Sequence, residues 1–218
     1  MKTLALLSQK GGSGKSTLTV HLAVIAQATG RRTVIVDLDP QRSAATWWET
    51  RTAETPEMVE STPADLRSVL DAAREAGFAL CVIDTRPSAG ADTAAAAALA
   101  DMVLIPTRPA IFDLRAIAAT VDIVSAIKVP AFIVLNGTPA ARGAGEASTT
   151  ADARRVLADY GTPVAPASIG LRAALAHALV DGRAVNEFDP NGKAAAELAS
   201  LWKLTEDHLW PNARRSRR

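Results

Sequence analysis

The sequence has little cysteine, few aromatic residues and almost no net charge. It holds one cysteine, 4% aromatic residues and a formal net charge of +1 over 218 residues. A single cysteine, Cys81, cannot form an intrachain disulfide, and its apolar neighbours along the sequence are typical of a buried thiol. A net charge this small gives no overall field that would hold the chain on a polyanion, so nucleic-acid binding would require a local basic patch.

Long apolar runs are also missing, and no stretch of about 20 apolar residues is present to span a bilayer. No secretory cleavage pattern follows the first residues, which predicts a cytoplasmic protein. Apolar residues make up 48% of the chain and charged residues 22%, as in soluble enzymes. The length suits one buried core, so we predict a single domain over residues 1–210 and a basic, flexible tail over residues 211–218.

Short apolar runs alternate with helical patterns, which predicts an α/β fold with a mostly parallel, twisted sheet and helices on both faces. The runs are almost continuously apolar, as strands covered on both faces must be. The predicted strands lie near residues 3–7, 33–36, 78–83, 102–105 and 131–135. The predicted helices begin near Lys15, Ala64, Asp92, Asp113, Thr149, Leu171 and Lys193. Segments 56–63 and 137–145 are predicted to be loops, since proline or glycine punctuates them.

A glycine-rich segment follows the first predicted strand and opens the first helix, which is the context that a phosphate-binding loop requires. It reads Gln9-Lys10-Gly11-Gly12-Ser13-Gly14-Lys15-Ser16-Thr17. Its glycines allow backbone N–H groups to point at phosphate oxygens, and the helix N-terminus adds the positive end of its dipole. We expect residues 10–17 to bind ATP, with Lys15 on the β- and γ-phosphates and the Ser16 hydroxyl on Mg²⁺. The alternative is a tight glycine turn without a ligand.

Carboxylates stand at the ends of two further predicted strands. Asp37 and Asp39 follow the second strand, in Asp37-Leu38-Asp39-Pro40-Gln41, and Asp84 ends the third. The carboxyl ends of parallel strands point toward the ligand site in this fold class. A carboxylate there would position an attacking water or help to hold Mg²⁺. The alternative for Asp39 and for Asp84 is a helix cap.

The glycine loop departs from the common phosphate-loop pattern, because Gln9 stands where a glycine is usual and Lys10 follows it. KGGxGK[ST] resembles the deviant Walker A motif of the ParA/MinD family of P-loop ATPases. The resemblance implies that Lys10 reaches across a homodimer to the partner's nucleotide, in the role of an arginine finger. It also implies that Asp39 orients the attacking water and that Asp37 and Asp84 belong to the Mg²⁺ neighbourhood. The alternative for Lys10 is a solvated surface lysine.

The resemblance extends over nearly the whole chain, and it is closest to short ParA-type partition ATPases, because no helix-turn-helix pattern precedes the loop. Ile169-Gly170-Leu171-Arg172 is similar to a family segment in which the arginine contacts DNA; the alternative for Arg172 is a solvated arginine at a helix start. Asn136 is a candidate for the adenine edge through its amide, or else an ordinary loop asparagine. Thr85-Arg86-Pro87 differs from the D-T-P-P of many relatives, so we expect an altered loop beside the γ-phosphate.

The predicted function is ATP-dependent DNA partition by a Mg²⁺-dependent ATPase with weak intrinsic turnover. The protein would dimerise around ATP, bind non-specific DNA on the nucleoid, and be released when a ParB-type or other adaptor stimulates hydrolysis. The alternatives are ATPases that position other cargo and a MinD-like membrane-positioning ATPase. The latter needs a C-terminal amphipathic helix that inserts in lipid. We expect the apolar stripe of residues 198–209 to pack on the sheet instead, and therefore no stable membrane association.

Overall fold

The computed structural model describes residues 1–140 and 145–211. Within these residues seven strands form one sheet whose neighbouring strands are all parallel. The strands are β1 (Lys2–Leu6), β2 (Thr33–Asp37), β3 (Glu57–Glu60), β4 (Leu80–Asp84), β5 (Met102–Thr107), β6 (Ala131–Thr138) and β7 (Ile169–Gly170). The helices are α1 (Lys15–Ala28), α2 (Ser43–Glu49), α3 (Leu66–Glu75), α4 (Ala91–Leu99), α5 (Ile111–Ala116), α6 (Ala118–Ile127), α7 (Ser148–Ala158), α8 (Ala173–Val180), α9 (Val185–Phe188) and α10 (Lys193–Leu209).

The order of the strands across the sheet is β3-β2-β4-β1-β5-β6-β7. Strands β2 to β4 lie on one side of β1, and β5 to β7 lie on the other, so the direction of winding reverses at β1. In open parallel sheets, ligands bind beyond the carboxyl ends of the strands at such a switch point. The segment after β1 therefore lies where this fold binds ligands.

Helices cover both faces of the sheet. Side chains of a strand alternate between its two faces, and in β1 Leu4 and Leu6 pack in a buried cluster with residues of α1 and α10. Ala5 and Leu7 pack on the other face with residues of α3, α4 and α6. The predicted α/β class with a parallel sheet is confirmed, and Cys81 is buried in the second cluster.

The C-terminal helix α10 packs on this core through its apolar stripe, as its spacing predicts. The buried members of the stripe are Leu198, Leu201, Trp202, Thr205 and Leu209. Because these side chains are covered by the protein, the stripe is unavailable to lipid. Among the described helices, none has the length and the apolar character needed to cross a membrane. Of the predicted basic tail, residues 212–218 lie outside the described residues.

The loop predicted over residues 56–63 is wrong in part, because Glu57–Glu60 forms the edge strand β3 and pairs with β2. Three of its four residues are exposed, so this strand lacks the apolar run by which the others are found. The prediction also lacks α2, α9 and β7, which have seven residues or fewer. In the loop predicted over 137–145, β6 continues to Thr138, and residues 141–144 lie outside the described residues.

Candidate nucleotide-binding site

The glycine loop connects β1 to α1 at the carboxyl edge of the sheet. Gly14 stands at the N-terminus of α1 with a φ of 98°, a left-handed conformation that favours glycine. The first N–H groups of an α-helix have no partner inside the helix, and they carry the positive end of its dipole. The loop therefore presents a cradle of N–H donors that suits an anion such as a phosphate.

Asn136 supports the loop from β6. Its Nδ2 donates a 2.7 Å hydrogen bond to the carbonyl of Ser13. A Cβ atom on Gly14 would collide with this amide, so the close packing requires glycine as much as the φ angle does. The amide nitrogen of Asn136 thus binds the loop in this structure. The adenine contact expected of Asn136 stays a prediction.

Lys15 is the first residue of α1 and is buried, with 6% of its surface exposed. Burial lowers the pKa of its ammonium group, and the nearby carboxylates of Asp84 and Asp39 oppose that effect. Ser16 and Thr17 follow it, and all three residues line a cavity beside the glycine loop. A fixed cation beside a helix N-terminus is suited to bind phosphate oxygens through charge-assisted hydrogen bonds.

Asp84 ends β4 as a fully buried carboxylate. Burial raises its pKa to about 7, although the Ser16 hydroxyl lowers it in part. Thr19 donates a 3.5 Å hydrogen bond to Oδ1, while Oδ2 has no hydrogen-bond partner in the described residues. A buried carboxylate oxygen without a partner is costly, and a divalent cation would satisfy it.

These residues fit Mg²⁺ as an ion shared with a nucleotide. In the ranges that the structure describes, no group of three or more His, Cys, Asp and Glu side chains is placed to hold a metal ion. Mg²⁺ commonly binds one or two carboxylates together with phosphate oxygens and water. Asp84 and the Ser16 hydroxyl would hold it here, and when bound it would neutralise charge on the phosphates.

Asp37 ends β2 and anchors the segment that follows. Its Oδ1 accepts the N–H of Asp39 at 2.9 Å, and its Oδ2 accepts the N–H of Ala45 at 3.1 Å. Burial raises the pKa of Asp37, and these backbone hydrogen bonds oppose the rise. Both oxygens thus position residues 39–45, and the Mg²⁺ role of Asp37 stays a prediction.

Asp39 faces the glycine loop across a cavity of about 360 Å³. The cavity is lined by Gly12, Gly14, Lys15, Ser16, Thr17, Val20, Asp39, Gln41, Ser43, Trp47, Pro87 and Leu179. Oδ1 of Asp39 accepts the N–H of Gln41 at 2.9 Å and so closes a turn, whereas Arg42 occupies the cap position of α2. A carboxylate in this place can orient a water toward a phosphate held by the loop.

Comparison with known proteins identifies the family. Residues 4–200 match CbiA, the CobQ/CobB/MinD/ParA nucleotide binding domain. The chain belongs to this family. The ParA/MinD resemblance that the glycine loop carries is thereby confirmed.

Three relatives illustrate the range of proteins to which the chain is similar. The chain is 34% identical to maintenance of carboxysome distribution protein A of Gloeobacter kilaueensis, over 95% of this chain and 94% of that protein. It is 31% identical to protein IncC of Escherichia coli, over 92% of this chain and 68% of that protein. Chromosome-partitioning ATPase Soj of Thermus thermophilus is 29% identical over 54% of this chain and 59% of that protein.

Solved structures share the fold. An ATP complex of a McdA variant from Cyanothece matches with a TM-score of 0.77 at 17% identity, covering 96% of each chain. The septum site-determining protein MinD of Pyrococcus horikoshii, complexed with Mg-ADP, matches with a TM-score of 0.74 at 16% identity, covering 94% of this chain and 96% of that one. At such identities the likeness establishes the fold alone.

Lys10 is the additional lysine of the ParA/MinD loop. It is half-buried in the turn before Gly11, and within residues 1–140 and 145–211 its side chain makes no hydrogen bond or ion pair. The charge of Lys10 is therefore available to a group outside the described protomer. Its reach to a partner's nucleotide stays a prediction.

The family loop after β4 is altered at Arg86. Thr85 fixes the start of the loop, because its hydroxyl donates a 2.8 Å hydrogen bond to the carbonyl of Leu6. Arg86 is exposed and forms an ion pair with Asp92 in the first turn of α4. Pro87 lines the nucleotide cavity. The departure from the family pattern thus lies beside the cavity and not among the residues that line it.

Arg172 forms an ion pair with Glu197 of α10. Its Nε lies 3.1 and 3.0 Å from the two carboxylate oxygens of Glu197, and 29% of its side chain is exposed. It is therefore not a freely solvated arginine. A DNA phosphate would have to compete with Glu197 for this guanidinium, and the DNA contact stays a prediction.

Trp47 and Leu179 are among the apolar residues of the cavity wall that are absent from the sequence-based site. Trp47 is 6% exposed and belongs to the core, yet it lines the cavity, and Leu179 of α8 lies on the same wall. An apolar side chain carries no chemical signal of a ligand site in the sequence. The position of Trp47, shortly after Asp39 and Ser43, is the one local hint.

Proposed function

We propose that the protein is an ATP-driven switch of the partition type, which dimerises around ATP and Mg²⁺ and binds non-specific DNA in that state. Hydrolysis is slow in the protein alone and is stimulated by an adaptor protein, after which DNA is released. The observation that supports this most directly is the placement of two lysines on one loop. Lys15 is buried behind the phosphate cradle, whereas Lys10 makes no bond to the described residues of its own protomer.

The roles of the residues follow from this placement. The loop N–H groups and Lys15 hold the triphosphate, and Asp39 orients water toward the γ-phosphate. Lys10 of a second copy brings a further cation to the same phosphate, as an arginine finger does in other phosphoryl transfer enzymes. Because that cation has a target only when the γ-phosphate is present, the dimer forms with ATP and loosens with ADP.

Replacement of Lys10 by alanine tests the proposal. We expect Lys10→Ala to keep monomeric ATP binding and to lose ATP-dependent dimerisation and turnover, as measured by light scattering and phosphate release with ATP and Mg²⁺. Lys2→Ala is the matched control, because Lys2 pairs with Asp101 at the amino end of β1, away from the loop. A Lys10→Ala dimer that forms and hydrolyses ATP as the parent does would show that Lys10 is a surface residue.

A second candidate differs only in cargo. The relative named for maintenance of carboxysome distribution aligns with nearly the whole chain, which favours positioning of a microcompartment by the same nucleotide switch. The two candidates share ATP-dependent DNA binding and differ in the adaptor. Purified products of the neighbouring genes, added singly to the ATPase assay, identify the adaptor by the one that stimulates hydrolysis.

A further inference from the structure

Arg51 follows α2 and binds both the turn that links α8 to α9 and helix α9 itself. Its side chain is only 5% exposed. The guanidinium donates to both carboxylate oxygens of Glu187, at 2.8 and 2.7 Å, and to the carbonyl of Gly182 at 2.8 Å. Its Nε donates to the carbonyl of Thr55 at 2.8 Å. A buried guanidinium with this many hydrogen bonds is held in one orientation.

The two segments also meet through their backbones. Gly182 has a φ of 73°, and a Cβ atom there would overlap the backbone of Arg51. Trp47 adds a further bond, since its indole N–H donates to the carbonyl of Arg183 at 3.3 Å. The Arg51 guanidinium lies 5.3 Å from the centroid of the same indole ring. We refer to Trp47, Arg51, Gly182, Arg183 and Glu187 as the α2–α8 junction.

The helices on both sides of the α2–α8 junction reach the nucleotide cavity. Trp47 lines it from α2, and Leu179 lines it from α8. The α2 side begins directly after the turn that holds Asp39, and the other end of α8 follows Arg172. The hydrogen bond from Trp47 to Arg183, and the chain of α8 that precedes Arg183, therefore connect the cavity to the segment that begins after Arg172.

We propose that Arg51 is a positioning residue that couples nucleotide binding to the placement of α8. The proposal rests on the proposed function, because the cavity must bind ATP. If the triphosphate draws the α2 side of the cavity inward, the turn after α8 must follow or the hydrogen bonds of Arg51 to Gly182 and Glu187 must break. This turn is itself bonded to α8, since the N–H of Arg183 donates to the carbonyl of Ala178 at 3.1 Å. Buried hydrogen bonds to charged groups are costly to leave unmade, so α8 follows α2.

Hydrogen exchange measured by mass spectrometry tests the coupling in the full chain, with and without AMPPNP and Mg²⁺. The variants are Arg51→Lys, which keeps the charge but loses the fork, and Glu187→Gln, which keeps an acceptor for the Ala184 N–H that Glu187 binds at 2.8 Å. Arg31→Lys is the matched control. Arg31 also pairs with a glutamate, Glu206, and lies over a tryptophan, Trp210, but away from the cavity.

In the parent and in Arg31→Lys, we expect AMPPNP to slow exchange both at residues 11–18 and across α8, by about fivefold or more in α8, a modest coupling between sites. In Arg51→Lys and in Glu187→Gln, the loop should remain protected while the change in α8 falls below about twofold. A purely structural role would raise exchange in α8 in both states and leave the nucleotide-dependent difference unchanged.

Two outcomes would overturn the coupling while leaving nucleotide binding in place. In the first, AMPPNP protects the loop of the parent without changing exchange in α8. In the second, AMPPNP changes exchange in α8 of both variants as much as in the parent. If Arg51→Lys does not fold, the response of Glu187→Gln decides. No protection of the loop in the parent would refute nucleotide binding itself, and the coupling would fall with it.

Discussion

Lys15 supplies the fixed positive charge of the site, and its removal is the most direct test of nucleotide binding. We expect Lys15→Ala to lower ATP affinity by about 100-fold, because hydrogen bonds between charged groups contribute about 1.5–3 kcal/mol each and about 1.4 kcal/mol is a factor of ten. The fold should survive, since the loop backbone stays in place. Titration with a fluorescent nucleotide measures the change, with Lys2→Ala as control. Near-normal affinity in Lys15→Ala would remove the phosphate-loop assignment.

His21 makes an acid-sensitive contact in the core. The ring is fully buried in α1, where Nδ1 accepts the N–H of Val185 at 3.1 Å. Burial lowers its pKa to about 4, while the Leu175 carbonyl and the Glu187 carboxylate oppose the shift. The folded state therefore binds a proton more weakly than the unfolded chain, whose histidine has a pKa near 6.5. Stability from this group is complete above pH 6.5 and is lost as the pH falls toward 4.

His21→Asn tests this sign, because the asparagine oxygen can take the place of Nδ1 and does not titrate. From about pH 7 to about pH 4, we expect the parent to lose roughly 3 kcal/mol more free energy of unfolding than the variant, the equivalent of the pKa shift. Urea denaturation at several pH values measures the difference. Parallel pH profiles for the two proteins would contradict a neutral, buried His21.

At the scale of single residues, local motifs can be predicted from the sequence, whereas contacts between distant residues cannot. The glycine loop is a local pattern, so residues 10–17 and the strand-end carboxylates can be named as candidate site residues without a structure. The partner of Arg172 is Glu197, 25 residues away, and the hydrogen bond of Asn136 joins it to Ser13 across 123 residues. Neither pairing leaves a signal in the local sequence, because both depend on how the elements pack.

Among the elements, the segment from β2 to α2 positions Asp39 at the cavity. Asp37 accepts two hydrogen bonds from backbone N–H groups of this segment. Arg42, near the end of the segment, has a φ of 53° and pairs with Glu49 and Glu60. The segment therefore keeps its shape from contacts outside the cavity. A change to the carboxylate of Asp39 should leave the remaining cavity wall intact.

Asp39→Ala is accordingly expected to trap the ATP dimer. Hydrolysis should fall by about 100-fold, which is the order of the contribution of a carboxylate that orients the attacking water or accepts its proton. ATP binding should be kept or tightened, because a negative charge near the triphosphate is removed. Phosphate release and nucleotide titration measure the two effects. Asp39→Asn is the matched variant, since it keeps an acceptor for the Gln41 N–H. If Asp39→Ala instead loses ATP affinity with Mg²⁺ present, Asp39 belongs to the metal site and its role is exchanged with that of Asp37.

The elements that escape prediction share a physical cause. Strand β3 lies at the sheet edge and exposes most of its side chains, and its pairing with β2 fixes it as a strand. Helix α2 has seven residues, too few to show a clear helical period, and it is held by Asp37 and by the burial of Trp47. By contrast, the strands buried on both faces are apparent in the sequence because burial demands an apolar run.

At the scale of the whole molecule, charge would make the proposed DNA binding depend on assembly. A protomer with a formal net charge of +1 would offer few phosphate contacts, whereas the proposed dimer would place two copies of each contact on one surface. Affinity for DNA would then rise steeply through multivalency. The nucleotide state would thereby set the DNA state without any change in sequence preference.

Arg172 and Glu197 provide the decisive test at this scale, because in the proposed DNA complex each Arg172 guanidinium would be shared between Glu197 and a DNA phosphate. With ATP trapped by Asp39→Ala, we expect Arg172→Ala to weaken DNA binding and to flatten the dependence of log K on log salt by about 0.9 for each phosphate that the protein no longer neutralises. Glu197→Gln should act in the opposite direction, since it releases the guanidinium but keeps an acceptor for the Gly170 N–H at 3.0 Å. ATP affinity and dimerisation should stay near the parent values in both. Equal salt slopes in all three proteins would clear Arg172 of the role, and binding to anionic liposomes but never to DNA would refute the partition function.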